Sequence, residues 1–490
     1  MAELRLDYLA GDVTEAGLAA LLEGRACPVI VTYRPDWEGG QYGGDEDTRL
    51  AMLVEAVRLG AEYIDIELLA AERLAPLLEA AGGRGQTKVI VSNHDYGKTP
   101  ADDVLMDKLQ AMVAAGADIA KLACMSAADG DAARMLALPH RMQQEAGSDV
   151  PVIALCMGES GLSSRVLAAK CGGYLTFGAL EAGKVSAPGQ PSIASLIDTF
   201  RAKRMGADTR VYGLLGNPVA QSKGAQLHNA AYEATGVDAV YVPFLCDSPA
   251  DFLESVEADA SFAGFSVTIP HKQAAMECCA ELDPLAERIG AVNTLVRRAD
   301  GTFKGYNTDS SAAVGAIEVA LGGAADVLEG RPMVVIGAGG AGRALAAGAM
   351  AKGARVVIVN RTQDKAEMLA ASLGDGAEAA PMEVLASGEL LRSLGAGAVL
   401  ANTTSVGMVP DVDATPVPRE ALAGAGVAAA FDAVYNPMKT RLLQDAEAEG
   451  AVAVSGVEMF VGQAAEQFLL FTGEEPPVEL MRKVVVDALQ

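Results

Sequence analysis

Six residues, Gly337-Ala-Gly-Gly-Ala-Gly342, constrain this chain more than any other stretch. An apolar, β-branched run precedes them (Met333-Val334-Val335-Ile336), and a good helix former follows (Arg343-Ala344-Leu345-Ala346-Ala347). Strand, glycine turn and helix N-terminus together aim backbone N–H groups at a pyrophosphate. In a chain with 53 glycines, GxGxxG spacing alone is weak. Its context strengthens it. A second strand, Arg355-Val356-Val357-Ile358-Val359, ends in Asn360-Arg361-Thr362, with Lys365 close behind. A site for NAD commonly places Asp or Glu here to hold the ribose 2′-hydroxyl. An amide, a guanidinium, a hydroxyl and an ammonium instead suit a dianionic 2′-phosphate. The stretch reads as an NADP(H) site: Gly337, Gly339, Gly340, Ala341 and Gly342 at the turn, then Asn360, Arg361, Thr362 and Lys365.

At 490 residues the chain has room for about three domains. Hydrophobic residues make up 51% of it, enough for large cores and too many for disorder. No apolar run approaches the ~18 residues a membrane span needs. The first residues, Met1-Ala-Glu-Leu-Arg-Leu-Asp7, carry no signal- or transit-peptide pattern. Seven scattered cysteines without CxxC spacing point to free thiols in a reducing compartment, and away from disulfides or zinc. A net charge of −26 argues against nucleic-acid partners. Any anionic substrate must then be held by a few local Arg and Lys residues.

From residue 1 to about 205, short apolar runs alternate with amphipathic stretches such as Asp47–Leu59 and Ala101–Ala114. Seven strands are expected: Glu3–Tyr8, Val29–Arg34, Tyr63–Leu68, Lys88–His94, Asp118–Ala123, Val152–Met157 and Tyr174–Gly178. This alternation predicts a parallel (β/α)8-type barrel lacking one strand. Polar residues fall at or just past the strand C-terminal ends (Arg34, His94, Lys121, then Arg165), where barrels place their chemistry. Lys121 lies within an apolar strand; desolvation would favour its neutral amine, which can attack a carbonyl and form a Schiff base. His94 could act as base, with Glu38 to orient it. An iminium and a base together imply proton abstraction α to a carbonyl with loss of a β leaving group.

This region resembles the type I 3-dehydroquinate dehydratases through ELRLD, TYRPDWEGG, SNHDY, DIAKLA, MGESGLSSR, YLTFG and SAPGQPS. The resemblance implies Lys121 as the Schiff-base amine, His94 as general acid/base and Glu38 beside it. It also implies Arg165 on the substrate carboxylate, with Glu3, Arg5, Arg34, Ser186 and Gln190 on the hydroxyls and lid. One departure stands out. The family has a strand and a helix before ELRLD, and here Met1 abuts it, so either the chain is truncated or the barrel is open and its activity in doubt.

A basic linker, Arg201–Asp208, leads into a second α/β unit. Its sequence brings Lys272 and Asp309 to two strand–turn junctions, where a cation and a carboxylate could pass a proton to a carbinol oxygen as hydride moves to nicotinamide. Residues 211–480 resemble shikimate dehydrogenase through GNPVAQSK, TIPHK, GAVNT, GYNTD, GAGGAGRA, NRT, NTTSVGM, VYNP and GQAAEQF. The resemblance implies Lys272 and Asp309 as the catalytic dyad, with Ser222, Thr268, Asn293, Tyr435 and Gln463 on the hydroxy acid. Thr404, Ser405 and Met459 join the cofactor set on the same basis. The family's substrate loop usually reads HSKSP, whereas this chain has Gln221-Ser222-Lys223-Gly224-Ala225. Losing one serine hydroxyl on a carboxylate costs about 1.5–3 kcal/mol. The change would also open room beside C1 of the ring, where quinate carries an extra hydroxyl. The other reading is that Lys223, water or a backbone N–H replaces the serine.

The whole chain thus resembles the tandem dehydratase–dehydrogenases of plants and algae. The expected organisation is a barrel over 1–205, a substrate domain over 206–312, a Rossmann NADP domain over 313–455 and a helical segment over 456–490 packing back on the substrate domain. The expected chemistry takes 3-dehydroquinate to 3-dehydroshikimate and then, with NADP(H) and no metal, to shikimate. Small molecules are the expected partners, with no nucleic acid and no membrane. The plant-like order suggests a plastid, otherwise the cytoplasm. Two other readings stay open: a quinate-favouring dehydrogenase behind an inactive barrel, and a non-catalytic metabolite sensor.

Overall fold

The computed structural model describes every residue except Asp12, Ala182, Ala325 and Gln490. Two compact units divide the chain: Met1–Thr209 with Asp251–Ala258, and Arg210–Ala250 with Asp259–Gln490.

In the first unit six strands pair in sequence order, all parallel: β1 (Ala2–Arg5), β2 (Val29–Thr32), β3 (Tyr63–Glu67), β4 (Lys88–Asp95), β5 (Ile119–Met125) and β6 (Val152–Met157). Side chains alternate across such a sheet. One set (Val29, Val31, Ile64, Ile66, Val89, Val91) packs under the helices with Leu50, Leu53, Leu105 and Leu109. The other set lines the concave face, where Ile30, Ile90, Ile119 and Ile153 form a small apolar floor. Toward the strand C-terminal ends the concave face turns polar, and Asp65, Glu67, Ser92 and Lys121 are all buried there. The sequence thus builds a hydrophobic floor below a charged mouth.

Two expectations change. Tyr174–Gly178 forms no ladder; its Tyr174 N–H donates to Val152 O at 2.8 Å, and the next bridge is an isolated one between Ala179 and Ser192. Leu175 and Phe177 pack onto the apolar floor, and the Tyr174 and Tyr63 hydroxyls share a bond of 2.8 Å. Side-chain burial therefore anchors this segment without a second row of backbone bonds. Among the described residues the sheet is an open six-stranded half-barrel, with β1 and β6 as edges. The first strand also stops at Arg5, because Leu6–Tyr8 forms a 3₁₀ turn. That turn brings the Asp7 carboxylate back to accept from the Arg5 guanidinium at 2.7 and 2.9 Å.

The second unit contains two sheets. A mixed sheet has the order β10-β12-β11-β9-β7-β8, from β7 (Arg210–Gly216), β8 (Ala239–Leu245), β9 (Phe262–Val267), β10 (Glu281–Leu282), β11 (Thr294–Arg297) and β12 (Phe303–Tyr306). An all-parallel sheet has the order β15-β14-β13-β16-β17-β18, from β13 (Pro332–Ile336), β14 (Arg355–Val359), β15 (Ala377–Ala380), β16 (Val399–Asn402), β17 (Ala429–Asp432) and β18 (Val452–Val454). Renumbered from its own first strand, that is the 3-2-1-4-5-6 dinucleotide-binding order, with a crevice where the order reverses between β13 and β16. Helix Thr308–Ala320 runs from the mixed sheet toward the parallel one. Helix Gly456–Thr472 packs along it, with Gly462 so close that a Cβ there would lie 3.2 Å from Ala312 Cβ. Its Gln467 reaches back to the mixed sheet, bonding Thr294 Oγ1 at 3.0 Å and Ser266 Oγ at 2.8 Å.

Candidate active sites

The mouth of the half-barrel gathers Glu3, Arg5, Arg34, His94, Lys121, Arg165, Ser186 and Gln190 around one cavity, together with Tyr96 and Phe177. Glu38 sits just behind it. Its Oε2 is 2.9 Å from His94 Nδ1, and its Oε1 accepts from Asn93 Nδ2 at 3.0 Å. The ring nitrogen on the far side of His94, Nε2, is left for the cavity. Lys121 is not the lone buried amine its sequence context suggests. Its Nζ donates to Asp65 Oδ2 at 2.7 Å and lies 4.6 Å from the centre of the Phe177 ring. The amine therefore faces a buried carboxylate as well as an apolar wall.

Asp65 is the junction of this network. Its Oδ1 accepts from Arg34 Nη2 at 2.9 Å and from Ser92 Oγ at 2.6 Å. Arg34 also donates to Glu67 Oε1 at 2.6 Å, and the fully buried Arg49 pairs with Glu67 Oε2 at 2.7 Å. Burial pushes the Asp65 carboxyl up, but the Arg34 and Lys121 cations outweigh it and hold the group well below the usual carboxylate range. For Glu38 burial wins over Arg34 and lifts the carboxyl to about 7. Burial, with Arg34 and Lys121 close by, pushes His94 well below its ordinary range, so the imidazole is neutral at neutral pH.

Arg165 lies in the short helix Leu162–Val166, buried, and donates to the Cys156 carbonyl at 3.1 Å. Burial lowers it to about 10, which leaves it charged. Among the described residues it has no carboxylate partner, an arrangement suited to an incoming anion. The loop bearing Ser186 and Gln190 is folded onto the mouth. Ser186 Oγ donates to Gln190 Oε1 at 3.1 Å, and Gly158 N–H donates to Pro188 O at 3.0 Å. Gly189 has φ +70 and approaches Gly158 so closely that a Cβ would sit 2.1 Å from its oxygen. Glu3 and Arg5 are already engaged, by Thr32 Oγ1 at 2.8 Å and by Asp7.

In the second unit Lys272 Nζ donates to Asp309 Oδ2 at 2.6 Å. Asp309 stands in the first turn of Thr308–Ala320, whose amides favour a carboxylate there. Asn293 locks the neighbouring turn: its Oδ1 accepts from Thr308 N–H at 2.9 Å and its Nδ2 donates to Thr308 Oγ1 at 3.0 Å. Thr268 and Lys272 share the loop after β9, and Asn217 N–H donates to Ile269 O at 3.1 Å, tying the Ser222 loop alongside. Ser222 Oγ accepts from Gly224 N–H at 3.1 Å. A side chain at Gly224 would meet Tyr241 Cε1 at 3.2 Å, so an aromatic ring bounds the volume expected to be open. Tyr435 and Gln463 make no direct bond to the dyad among the described residues; Tyr435 packs on Phe460 at 4.9 Å, and Gln463 donates to Phe460 O at 3.0 Å.

The glycine turn divides its labour as a dinucleotide fold requires. Gly337 takes φ +112, which favours glycine. A Cβ on Gly342 would lie 2.1 Å from Gly337 O, so helix and strand meet there without a side chain between them. Gly339, by contrast, faces open space. Gly340 lies where a Cβ would be 3.5 Å from Lys272 Cδ, which places the dyad at the N-terminus of the cofactor helix Gly340–Ala351. At the end of β14, Asn360 Nδ2 caps Thr362 O at 2.9 Å. Arg361 and Lys365 are exposed, and among the described residues no carboxylate pairs with either. An open glycine at a helix N-terminus and two unpaired cations fit a dinucleotide with a 2′-phosphate. Thr404 Oγ1 is engaged by Asn402 Oδ1 at 2.7 Å, Ser405 is exposed, and Met459 packs on the Rossmann core.

Asp65 and Glu67 were not among the expected site residues. The strand Tyr63-Ile-Asp-Ile-Glu67 held the signal, since period two puts both carboxylates on one face between buried isoleucines.

Fold and sites define a tandem protein: a parallel half-barrel with a buried lysine at its mouth, then a two-sheet dehydrogenase with a Rossmann half. Residues 1–206 match the family of type I 3-dehydroquinases, 214–295 the shikimate dehydrogenase substrate binding domain, 322–394 shikimate / quinate 5-dehydrogenase and 456–486 the shikimate 5'-dehydrogenase C-terminal domain. The chain is 45% identical to the chloroplastic bifunctional 3-dehydroquinate dehydratase/shikimate dehydrogenase of Arabidopsis thaliana, across 99% of its own length and 79% of that protein. It is 43% identical to the NADP(+) shikimate dehydrogenase of Methanosarcina barkeri, over 57% of this chain and 99% of that one. The crystal structure of Thermus thermophilus shikimate 5-dehydrogenase in complex with NADP(H) and shikimate superposes with a TM-score of 0.50 at 34% identity, covering 57% of this chain and all of that one. The chain belongs to the family of bifunctional 3-dehydroquinate dehydratase/shikimate dehydrogenases.

Proposed function

We propose that this enzyme dehydrates 3-dehydroquinate through an imine on Lys121 and reduces the resulting 3-dehydroshikimate to shikimate on the Lys272–Asp309 dyad. The observation that carries the reading is the presence of two acid–base sets: Lys121 and the His94–Glu38 couple at one cavity, and Lys272 bonded to Asp309. In the first site the Lys121 amine adds to the substrate ketone, and water leaves to give an iminium cation. Asp65, held ionised, faces that cation as it faced the ammonium. Neutral His94 takes the α proton through Nε2, with Glu38 on Nδ1, and the imidazolium returns that proton to the β hydroxyl, which departs as water. Water then releases the product from Lys121. Arg165 is assigned to the substrate carboxylate, and Glu3, Arg5, Arg34, Ser186 and Gln190 to its hydroxyls and lid.

In the second site NADPH, when bound, supplies hydride. Lys272 delivers the proton to the carbonyl oxygen while Asp309 orients its ammonium. Ser222, Thr268, Asn293, Tyr435 and Gln463 hold the ring. Subdomain boundaries near 312 and 455 are assigned because the mixed sheet ends at β12 (Phe303–Tyr306), before helix Thr308–Ala320, and the parallel sheet ends at β18 (Val452–Val454). A plastid location is proposed from the chloroplastic relative. The missing loop serine at Gly224 makes quinate the second substrate to compare.

One mixture tests the reading. With 3-dehydroquinate and NADPH, the enzyme should oxidise one NADPH per shikimate formed; without NADPH, 3-dehydroshikimate should accumulate. No 3-dehydroshikimate in the second mixture would leave only a dehydrogenase behind an idle half-barrel. In the reverse direction, kcat/KM for shikimate against quinate decides the hydroxy acid. The cofactor assignment has its own test. Arg361→Ala should raise KM for NADPH about 10- to 100-fold, matching the ~1.5–3 kcal/mol of a hydrogen bond to a charged group, and leave KM for NADH unchanged. Equal effects on both cofactors would remove Arg361 from the 2′-phosphate.

A further inference from the structure

Behind the His94–Glu38 couple a further line of contacts runs toward the barrel's outer helices. Lys108, on helix Asp102–Ala114, donates from Nζ to Asn93 Oδ1 at 2.6 Å. The same amide donates from Nδ2 to Glu38 Oε1 at 3.0 Å, and the other carboxylate oxygen meets His94 Nδ1 at 2.9 Å. Lys108 is partly buried, and among the described residues it pairs with no carboxylate. A cation placed on an amide oxygen fixes which way that amide faces, since its NH₂ end cannot approach the ammonium. Neighbouring residues Asn93 and His94 point to opposite faces of β4, so the relay and the base approach Glu38 from different sides.

We propose that Lys108 and Asn93 are positioning residues for dehydration: the lysine holds the amide with its N–H toward Glu38, and the amide keeps Glu38 an acceptor for His94 Nδ1–H. This rests on the dehydratase reading above. The consequence lies in the charge behind the base. While Glu38 accepts, the proton stays on Nδ1 and Nε2 is free to take a proton from substrate. If Asn93 turns, its oxygen faces the Glu38 oxygen, and two acceptors in contact draw a proton onto the carboxyl. That proton sits on Oε1 and is donated to the turned amide; Oε2 stays an acceptor but loses its negative charge, so Glu38 no longer steadies the imidazolium and the base is weakened.

The charges around the couple set the scale. Arg34 Nη1 lies 3.7 Å from Glu38 Oε2 and favours the carboxylate, while Glu67 and Asp65 from β3 oppose it. Arg34, Lys121 and Arg5 disfavour a charged imidazole, with Asp65 acting the other way. Burial lifts Glu38 to about 7, so a modest push decides its state near neutrality. The couple titrates as one unit, and its protonation is the acidic limb of the dehydration profile.

The test is kcat/KM for 3-dehydroquinate against pH in the full-length enzyme. Lys108→Met should move the acidic limb upward by about one pH unit, a near ten-fold loss on the acidic side that disappears on the alkaline plateau. Lys108→Arg should restore the wild-type profile. Asn93→Ala should shift the limb similarly, and the double variant no further than either single one, because both act through one contact. Shikimate oxidation by the same protein and borohydride trapping on Lys121 at high pH report folding and imine formation, and both should be unchanged. Superimposable profiles for wild type and Lys108→Met would overturn the relay alone, as would a uniform loss at every pH or additive shifts in the double variant. A wild type inert toward 3-dehydroquinate would overturn the dehydratase reading and the relay with it.

Discussion

Lys121→Arg should abolish dehydration of 3-dehydroquinate, with a loss on the order of 10⁴-fold or more, about 5.5 kcal/mol in the barrier, while shikimate oxidation by the same chain should be retained. Arginine is chosen because it keeps the cation that Asp65 requires. Asp65 is fully buried and bonded to Lys121 Nζ, Arg34 Nη2 and Ser92 Oγ. Removing one partner of such a buried pair costs about 3–5 kcal/mol, so Lys121→Ala would confound lost chemistry with lost stability. A guanidinium holds the charge and cannot form an iminium under these conditions. Mass spectrometry after borohydride reduction in the presence of 3-dehydroquinate gives the second readout. The wild type should gain one reduced adduct on Lys121, and the variant none. Retained dehydration in Lys121→Arg would exclude an imine at this position, whatever the rest of the mouth contributes.

The contrast between Lys121 and its partner shows where the sequence was informative. A lysine within Asp-Ile-Ala-Lys-Leu-Ala announces a buried amine, because period two and its apolar neighbours leave it few other places to go. Its counter-ion comes from Asp65, 56 positions away on β3, and pairing between strands is set by register, which local pattern does not encode. The glycine turn was legible, with its flanking strand and helix, for the opposite reason. A positive φ at Gly337 and a close approach at Gly342 are demands of backbone geometry that one residue type meets, so the residues state the conformation directly. Tyr174–Gly178 fell between these cases: alternating apolar residues suit a strand, but they are buried equally well by packing Leu175 and Phe177 on the barrel floor, and the ladder never forms. At Gly224 the sequence shows the loss of a side chain, but the ring of Tyr241 that bounds the gap comes from β8 and had no signal in the loop.

Lys272→Ala should lower kcat for shikimate oxidation by about 10³-fold, within the range a positioned acid–base group contributes, and change KM for shikimate much less. Asp309→Asn should fall in the same direction by about 10²-fold, because the amide still fills the first turn of Thr308–Ala320 but no longer holds the ammonium by charge. If the two residues work as one couple, the double variant should lose little beyond Lys272→Ala alone. Position makes a cofactor effect the competing explanation. Lys272 Cδ borders Gly340 at the N-terminus of the cofactor helix, so truncation could loosen the dinucleotide instead of the proton transfer. Calorimetric titration with NADP(+) separates the two: unchanged affinity with lost turnover assigns Lys272 to the proton, whereas a matching loss of affinity assigns it to the dinucleotide. Dehydration in the first unit should be unaffected in all three variants. Wild-type turnover in Lys272→Ala would remove the dyad from the mechanism.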